Sequence, residues 1–139
     1  MLVLDASVAV KWFVPEERRP EARAILAGGE ELVAPEIIVA EVGTGLSRKA
    51  RLGDISAAAA RGAISDWLAV LGSGAVVLTP VAELLESAYE ISIALDHQLP
   101  DCVYLALARQ SQCPLVTADG QLARKAKGLK GVSVQLLGA

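Results

Sequence analysis

Five short apolar runs punctuate this chain: Leu2 to Leu4, Leu32 to Ala34, Ala75 to Leu78, Leu115 to Thr117 and Val132 to Val134. The first is continuous rather than alternating, the pattern of a strand buried on both faces of a parallel sheet. Between the runs, apolar residues recur at helical spacing. Ser7 is placed to cap a short helix through Val14, which Pro15 stops. Pro20 to Ala27 predicts a helix ended by Gly28-Gly29, and Pro35 opens a long one to about Leu52 with Gly53 as its stop. Asp54 or Ser56 caps an Ala-rich helix reaching Leu71. Thr79-Pro80 predicts a helix start running to about His97, Pro100 another ending near Gln112, and Asp119 caps a short basic helix. Strands alternating with helices predict an α/β fold: a three-layer α/β/α sandwich around a mostly parallel sheet of about five strands. The chain reads as a single domain over residues 1–139.

Four carboxylates interrupt this pattern. Asp5 ends the first apolar run, and Asp119 follows the fourth. Glu41 lies on the side of its helix that also carries Ile37, Ile38, Val42 and Gly45, so it falls within an apolar stripe. A buried carboxylate costs several kcal/mol unless it is paired or metal-bound. Asp101 sits in the first turn of its helix, with Tyr104, Leu105 and Ala108 as its inward neighbours. Each acid has an ordinary alternative: a helix cap for Asp5 and Asp119, a favourable dipole position for Asp101, an ion pair or a stripe-edge position for Glu41. Taken together they lie on elements that converge, because ligands of open α/β sheets bind beyond the carboxyl ends of the strands. Anions crowded there repel one another unless a cation sits between them. The pattern therefore points to a metal-dependent hydrolase acting on phosphodiesters.

Composition narrows this further. The chain is 53% hydrophobic but only 4% aromatic, so its core is aliphatic and disorder is excluded. A net charge of −3 removes any bulk basic pull on nucleic acid, so substrate grip must be local. Arg124, Lys125, Lys127 and Lys130 stand just after Asp119, and Arg48, Lys49 and Arg51 close the Glu41 helix. The alternative for both groups is a solvated face with cations favourably placed at helix C-termini. No segment suits a membrane span: Leu68 to Ala82 is broken by Gly72, Gly74 and Pro80. Asp5 and Lys11 fall where a signal peptide needs an apolar core. Cys102 and Cys113 lack metal-ligand spacing and read as buried free thiols of a cytoplasmic protein. The single histidine, His97, reads as structural or exposed rather than as a general base. Trp12 and Phe13 read as core or partner contacts, and Trp67 and Tyr89 as helix packing or dimer surface.

Two other families of similar alternation do not fit. A receiver domain needs an Asp after the third strand and a Lys after the fifth, where this chain has Thr79-Pro80 and Gln135-Leu136. A haloacid-dehalogenase-type phosphatase needs Asp-x-Asp after the first strand, and position 7 is Ser.

The opening Leu2-Val3-Leu4-Asp5-Ala6-Ser7-Val8-Ala9-Val10-Lys11-Trp12, then Val39-Ala40-Glu41-Val42, the segment Pro100-Asp101-Cys102-Val103-Tyr104-Leu105-Ala106-Leu107-Ala108, and Leu115-Val116-Thr117-Ala118-Asp119 together resemble the PIN-domain family. Within it they are most similar to the VapC-like toxins of bacterial VapBC toxin–antitoxin pairs. The resemblance spans essentially the whole chain. It implies a PIN-like fold and a Mg²⁺- or Mn²⁺-dependent endoribonuclease for single-stranded RNA, usually a homodimer and held inactive by a cognate antitoxin. It maps the acidic quartet to Asp5, Glu41, Asp101 and Asp119, with Asp5, Asp101 and Asp119 as the metal ligands. Ser7 and Thr117 match supporting hydroxyls. A housekeeping RNA-processing nuclease and a catalytically silent binding scaffold are the alternatives. One departure is visible: Asp96-His97-Gln98-Leu99-Pro100 precedes Asp101, where relatives often carry an aromatic just before this Asp.

Overall fold

The computed structural model describes all 139 residues. Its elements, in chain order, are β1 (Leu2–Leu4), α1 (Ala6–Ala9) continued by a 3₁₀ turn (Val10–Trp12), α2 (Arg19–Ala27), β2 (Leu32–Pro35), α3 (Ile38–Arg51), α4 (Ala57–Gly72), β3 (Val76–Thr79), a 3₁₀ turn (Val81–Glu83), α5 (Leu85–Leu95), α6 (Leu99–Ser111), β4 (Leu115–Thr117), α7 (Gly120–Ala126) and β5 (Val134–Leu136). The five strands form one wholly parallel sheet in the order β3-β2-β1-β4-β5. β1 is central, with Val3 in register with Val33 on one side and Leu115 on the other. That position explains its unbroken apolar run: Leu2, Val3 and Leu4 are all buried.

From β1 the chain steps outward to β2 and β3, then returns past β1 to β4 and steps to β5. Right-handed crossovers put α1 to α4 on one face and α5 to α7 on the other. The contacts agree. α3 packs on α1 and α4, while α6 packs on α5 and lies across β1, β2 and β4. Every residue of α6 from Cys102 to Ala108 is buried, so α6 is the central helix of its layer. Where neighbours β1 and β4 send their connections to opposite faces, the sheet has a switch point, and a crevice opens beyond the strand ends.

Several boundaries differ from the sequence reading. Ser7 does not cap α1. Asp5 takes the N-cap position, and its carbonyl accepts from Val8 and Ala9 N–H. Pro35 closes β2, paired with Thr79, and α3 begins three residues later at Ile38. Thr79-Pro80 does not start α5. Pro80 is extended (ψ 135°), and one 3₁₀ turn intervenes. α5 stops at Leu95 because Asp96 turns left-handed (φ 48°). β5 begins at Val134, two residues later than expected, after the left-handed Gly131 (φ 80°). Trp67 and Trp12 are buried, and Phe13 joins them with ring centroids 6.0–6.4 Å apart. Tyr89 is 60% exposed. Both cysteines are free. Cys102 is buried and Cys113 only half-buried. No helix is long and apolar enough to cross a membrane.

Candidate active site

All four acids meet at the crevice. A cleft of about 370 Å³ is lined by Asp5, Ser7, Glu41, Asp101 and Asp119, with Thr44, Gly45 and Arg48 from α3 closing one side. Its position follows from the topology. β1 delivers Asp5, and β4 delivers Thr117 and Asp119 beside it. α3 brings Glu41 from one helical layer, and the first turn of α6 brings Asp101 from the other.

Each carboxylate is held chiefly through one oxygen. Asp5 Oδ2 accepts from Ser7 Oγ at 2.5 Å and Thr117 Oγ1 at 2.6 Å. Those hydroxyls are held in turn, since Ser7 Oγ accepts from Ala118 N–H and Thr117 Oγ1 from Asp119 N–H, both at 3.0 Å. Glu41 Oε1 accepts from Tyr104 OH at 2.6 Å. Asp101 Oδ2 faces His97 Nε2 at 2.6 Å and Gln98 Nε2 at 3.4 Å. Asp119 Oδ1 caps α7, accepting from Gln121 and Leu122 N–H. The second oxygens of Glu41, Asp101 and Asp119 have no hydrogen bond within the protein, the Asp5 carboxyl feels only a weaker pull from the Ala6 backbone N–H besides its two hydroxyls, and none of the four open oxygens is sealed from solvent. The cap on α7 and the place in the cleft thus coexist in Asp119, one oxygen for each.

The electrostatics are those of uncompensated anions. No Lys or Arg forms a salt bridge with any of the four. Burial pushes the Asp5 carboxyl above its ordinary range. Its two hydroxyl donors offset part of that, and the charge of Asp101 adds to it. Glu41 is likewise raised, first by burial and then by Asp5 and Asp101, against the lowering effect of the Tyr104 hydrogen bond. Tyr104 is driven strongly upward, chiefly by burial and then by the charges of Asp5 and Glu41, so its hydroxyl stays a donor.

This donor set suits a hard divalent cation: carboxylate oxygens oriented by hydrogen bonds, Asp5 buried and the other three partly so, with no Lys or Arg paired to any of them. No three His, Cys, Asp or Glu side chains are arranged to enclose an ion by themselves.

A model of the PIN domain matches residues 2–128. The chain belongs to the PIN-domain family. Among curated PIN proteins it is 35% identical over 122 residues to ribonuclease VapC9 of Mycobacterium tuberculosis, covering 88% of each chain. Among solved structures it is similar to VapC20 of M. tuberculosis, described as a sarcin-ricin loop cleaving toxin. The TM-score is 0.69 at 20% identity, over 89% of this chain and 94% of that one. It is also similar to a chain of a toxin–antitoxin complex from Klebsiella pneumoniae, with a TM-score of 0.62 at 18% identity over 95% of both chains. At those identities the two structures speak for the fold.

Within the PIN frame, Glu41 sits at the rim of its stripe rather than inside it. The buried line of α3 is Ile38, Val42 and Leu46, and Glu41 stands one step round, with Thr44, Gly45 and Arg48 towards the cleft. The four basic candidates after Asp119 do not line the cleft; Arg48 is the only cation that does. Lys125 is engaged elsewhere, its Nζ donating to the Asp96 carbonyl at 2.7 Å. Arg124, Lys127 and Lys130 are exposed beside it. Tyr104 and His97 are the polar partners that the sequence reading left out of the site. Tyr104 could have been found, because a phenol among the aliphatic residues of a buried helix needs an acceptor.

Proposed function

We propose that this PIN protein, one nuclease domain over residues 1–139, is a Mg²⁺- or Mn²⁺-dependent endoribonuclease that hydrolyses phosphodiester bonds of single-stranded RNA. The observation that carries the reading is the pairing within each acid: one oxygen fixed by a protein donor, the other open to a shared cleft free of neutralising salt bridges from Lys or Arg. Asp5 and Asp101 are the principal ligands, directly or through water, and Asp119 completes the site. A divalent ion bound there supplies positive charge to the scissile phosphate and lowers the pKa of water. Ser7 and Thr117 hold Asp5 in its ligating orientation. Glu41, with a raised pKa and an open oxygen, orients the attacking water and accepts its proton. The water oxygen adds to phosphorus in line with the departing oxygen. Arg48 at the cleft wall steadies a neighbouring phosphate, and Arg124, Lys125, Lys127 and Lys130 extend the grip along the strand.

The VapC name of the curated relative and the toxin–antitoxin complex among the structural neighbours support the role of a toxin restrained by a cognate antitoxin protein. Self-association as a homodimer is supported by α5, where Leu85, Tyr89 and Ile93 lie four residues apart and are 47%, 60% and 67% exposed.

The test is cleavage of a single-stranded RNA by purified protein with Mn²⁺, with chelator, and by Asp5→Ala. Cleavage that requires Mn²⁺ and vanishes in the folded variant is expected. Cleavage indifferent to chelator, or a fully active Asp5→Ala, overturns the assignment.

A further inference from the structure

The turn between α5 and α6 is built more firmly than a connection requires. Asp96 adopts a left-handed conformation (φ 48°). The next residue, His97, is fixed through both backbone groups. Its N–H donates to the Ser92 carbonyl at 3.1 Å, and its own carbonyl accepts from Ser92 Oγ at 2.5 Å. From α7, Lys125 Nζ reaches the Asp96 carbonyl, so the element capped by Asp119 also grips this turn. The imidazole is held as well: the His97 side chain is only 7% exposed, and its Nε2 lies 2.6 Å from Asp101 Oδ2. Gln98 adds a second, longer donor to the same oxygen.

A carboxylate turns readily about its last torsion, which is broad and roughly two-fold. One oxygen must therefore be pinned if the other is to keep a direction. At Asp5 a pair of hydroxyls does this, at Glu41 a phenol, and at Asp119 backbone amides. At Asp101 the pin is an imidazole, mounted on a turn anchored from two helices. We propose that His97 is a positioning residue that aims the open oxygen of Asp101 into the cleft and thereby sets the affinity of the site for a divalent cation. The proposal rests on the metal-dependent reading above. It needs Nε2 to be the donor of this contact, the arrangement in which the imidazole N–H points at the carboxylate oxygen.

A plain stabilising contact at a helix start would show different behaviour. Three variants separate the two roles. His97→Gln keeps an N–H near the position of Nε2, His97→Asn keeps the polarity but falls short of Asp101, and His97→Leu removes the donor. Mn²⁺ affinity is measured by the electron paramagnetic resonance of the free ion, and thermal unfolding is followed in chelator. His97→Leu and His97→Asn should bind Mn²⁺ about 10- to 100-fold more weakly, the usual cost of losing a partner behind a metal ligand. His97→Gln should recover most of that loss. RNA cleavage by the weakened variants should return as Mn²⁺ is raised. In an Asp101→Asn background the same His97 substitutions should leave Mn²⁺ binding unchanged, because the interaction they remove is already gone.

Equal Mn²⁺ affinity in the wild type, His97→Asn and His97→Gln overturns the positioning role, whatever happens to their unfolding temperatures. Should His97→Leu fail to fold, the Asn and Gln pair still decides. A wild-type protein that binds no Mn²⁺ and cleaves no RNA overturns the functional reading and this inference with it. A wild type that does both while ignoring His97 overturns this inference alone.

Discussion

Thr117 Oγ1 donates to Asp5 Oδ2 at 2.6 Å across 112 positions of sequence. The bond joins the ends of the two central strands where their connections part to opposite faces of the sheet. The same hydroxyl accepts the Asp119 N–H, so one fully buried oxygen orients two acids of the cleft. Thr117→Val keeps the shape and removes both bonds. The loss should be about 1–3 kcal/mol of stability at neutral pH, the cost of stranding buried polar partners. Urea unfolding in chelator measures it, and RNA cleavage should fall in parallel. A variant as stable and as active as the wild type would show that Ser7 alone suffices.

The raised pKa values of Asp5 and Glu41 fix the sign of a pH effect. Between the ordinary values of 3.8 and 4.5 and the raised ones, the folded chain holds more protons than the unfolded chain. Stability without metal therefore falls as pH climbs through that window and stays lower above it. Glu16 works the other way. Its ion pairs with Lys49 at 2.7 Å and Lys11 at 3.1 Å outweigh its burial and lower its pKa. Asp5→Asn separates the two contributions. In chelator at pH 7 it should unfold at a higher temperature than the wild type, with a flatter pH dependence, while cleaving no RNA. Mn²⁺ at about 100 times its Kd should stabilise the wild type by about 2.7 kcal/mol and the variant far less. Equal unfolding temperatures at pH 7 would mean that the Asp5 charge carries no burial cost.

The sheet and its acids were legible because both depend on strong local signals. A strand flanked on both sides must be largely apolar, so Leu2–Leu4 and the Leu115-Val116 start of β4 declared themselves, and the acids that follow these strands fall at the strand ends by necessity. The boundaries were less legible where proline has two uses. Pro35 and Pro80 suit a first helical turn, yet both finish an extended stretch here, Pro35 because its backbone is already paired with Thr79. The partners of the acids were the least legible. Tyr104 lies 63 positions from Glu41, and Thr117 lies 112 from Asp5. No periodicity reports a hydrogen bond between elements that only the crossover brings together. His97 is close to Asp101 in sequence, but the contact between them follows the left-handed Asp96, which the sequence pattern did not show.

Tyr104 tests whether Glu41 needs a fixed direction. Tyr104→Phe fills the same space and removes only the hydroxyl. Glu41 then keeps its burial and its repulsion by Asp5 and Asp101 but loses the one contact that lowers its pKa. Its pKa should rise further. The pH at which cleavage reaches half its maximum should move up with it, since Glu41 must be ionised to accept a proton. The turnover number at neutral pH should fall by about 10-fold or more, with KM little changed. An unshifted pH profile would place the proton acceptor elsewhere.

Gly45 determines how closely α3 approaches the 3₁₀ turn that continues α1. A Cβ on Gly45 would lie 2.9 Å from Val10 Cγ2 and 3.6 Å from Cγ1. Val10 is buried and branched at its own Cβ, so its methyls have little freedom to yield. Gly45→Ala should therefore force α3 outward at a cost of about 1–3 kcal/mol. Glu41 lies one turn back on the same helix and Arg48 just under a turn ahead, so both would retreat from Asp5 and Asp101. Cleavage should fall well beyond what the loss of folded protein explains, because a catalytic acid displaced by about an ångström can cost about 100-fold in rate. Val10→Ala clears the obstructing methyls. The double variant should regain cleavage even though Val10→Ala alone removes core volume and lowers stability. Rescue of cleavage without rescue of stability would identify Gly45 as the spacer that sets the width of the cleft, and a double variant no more active than Gly45→Ala would rule that out.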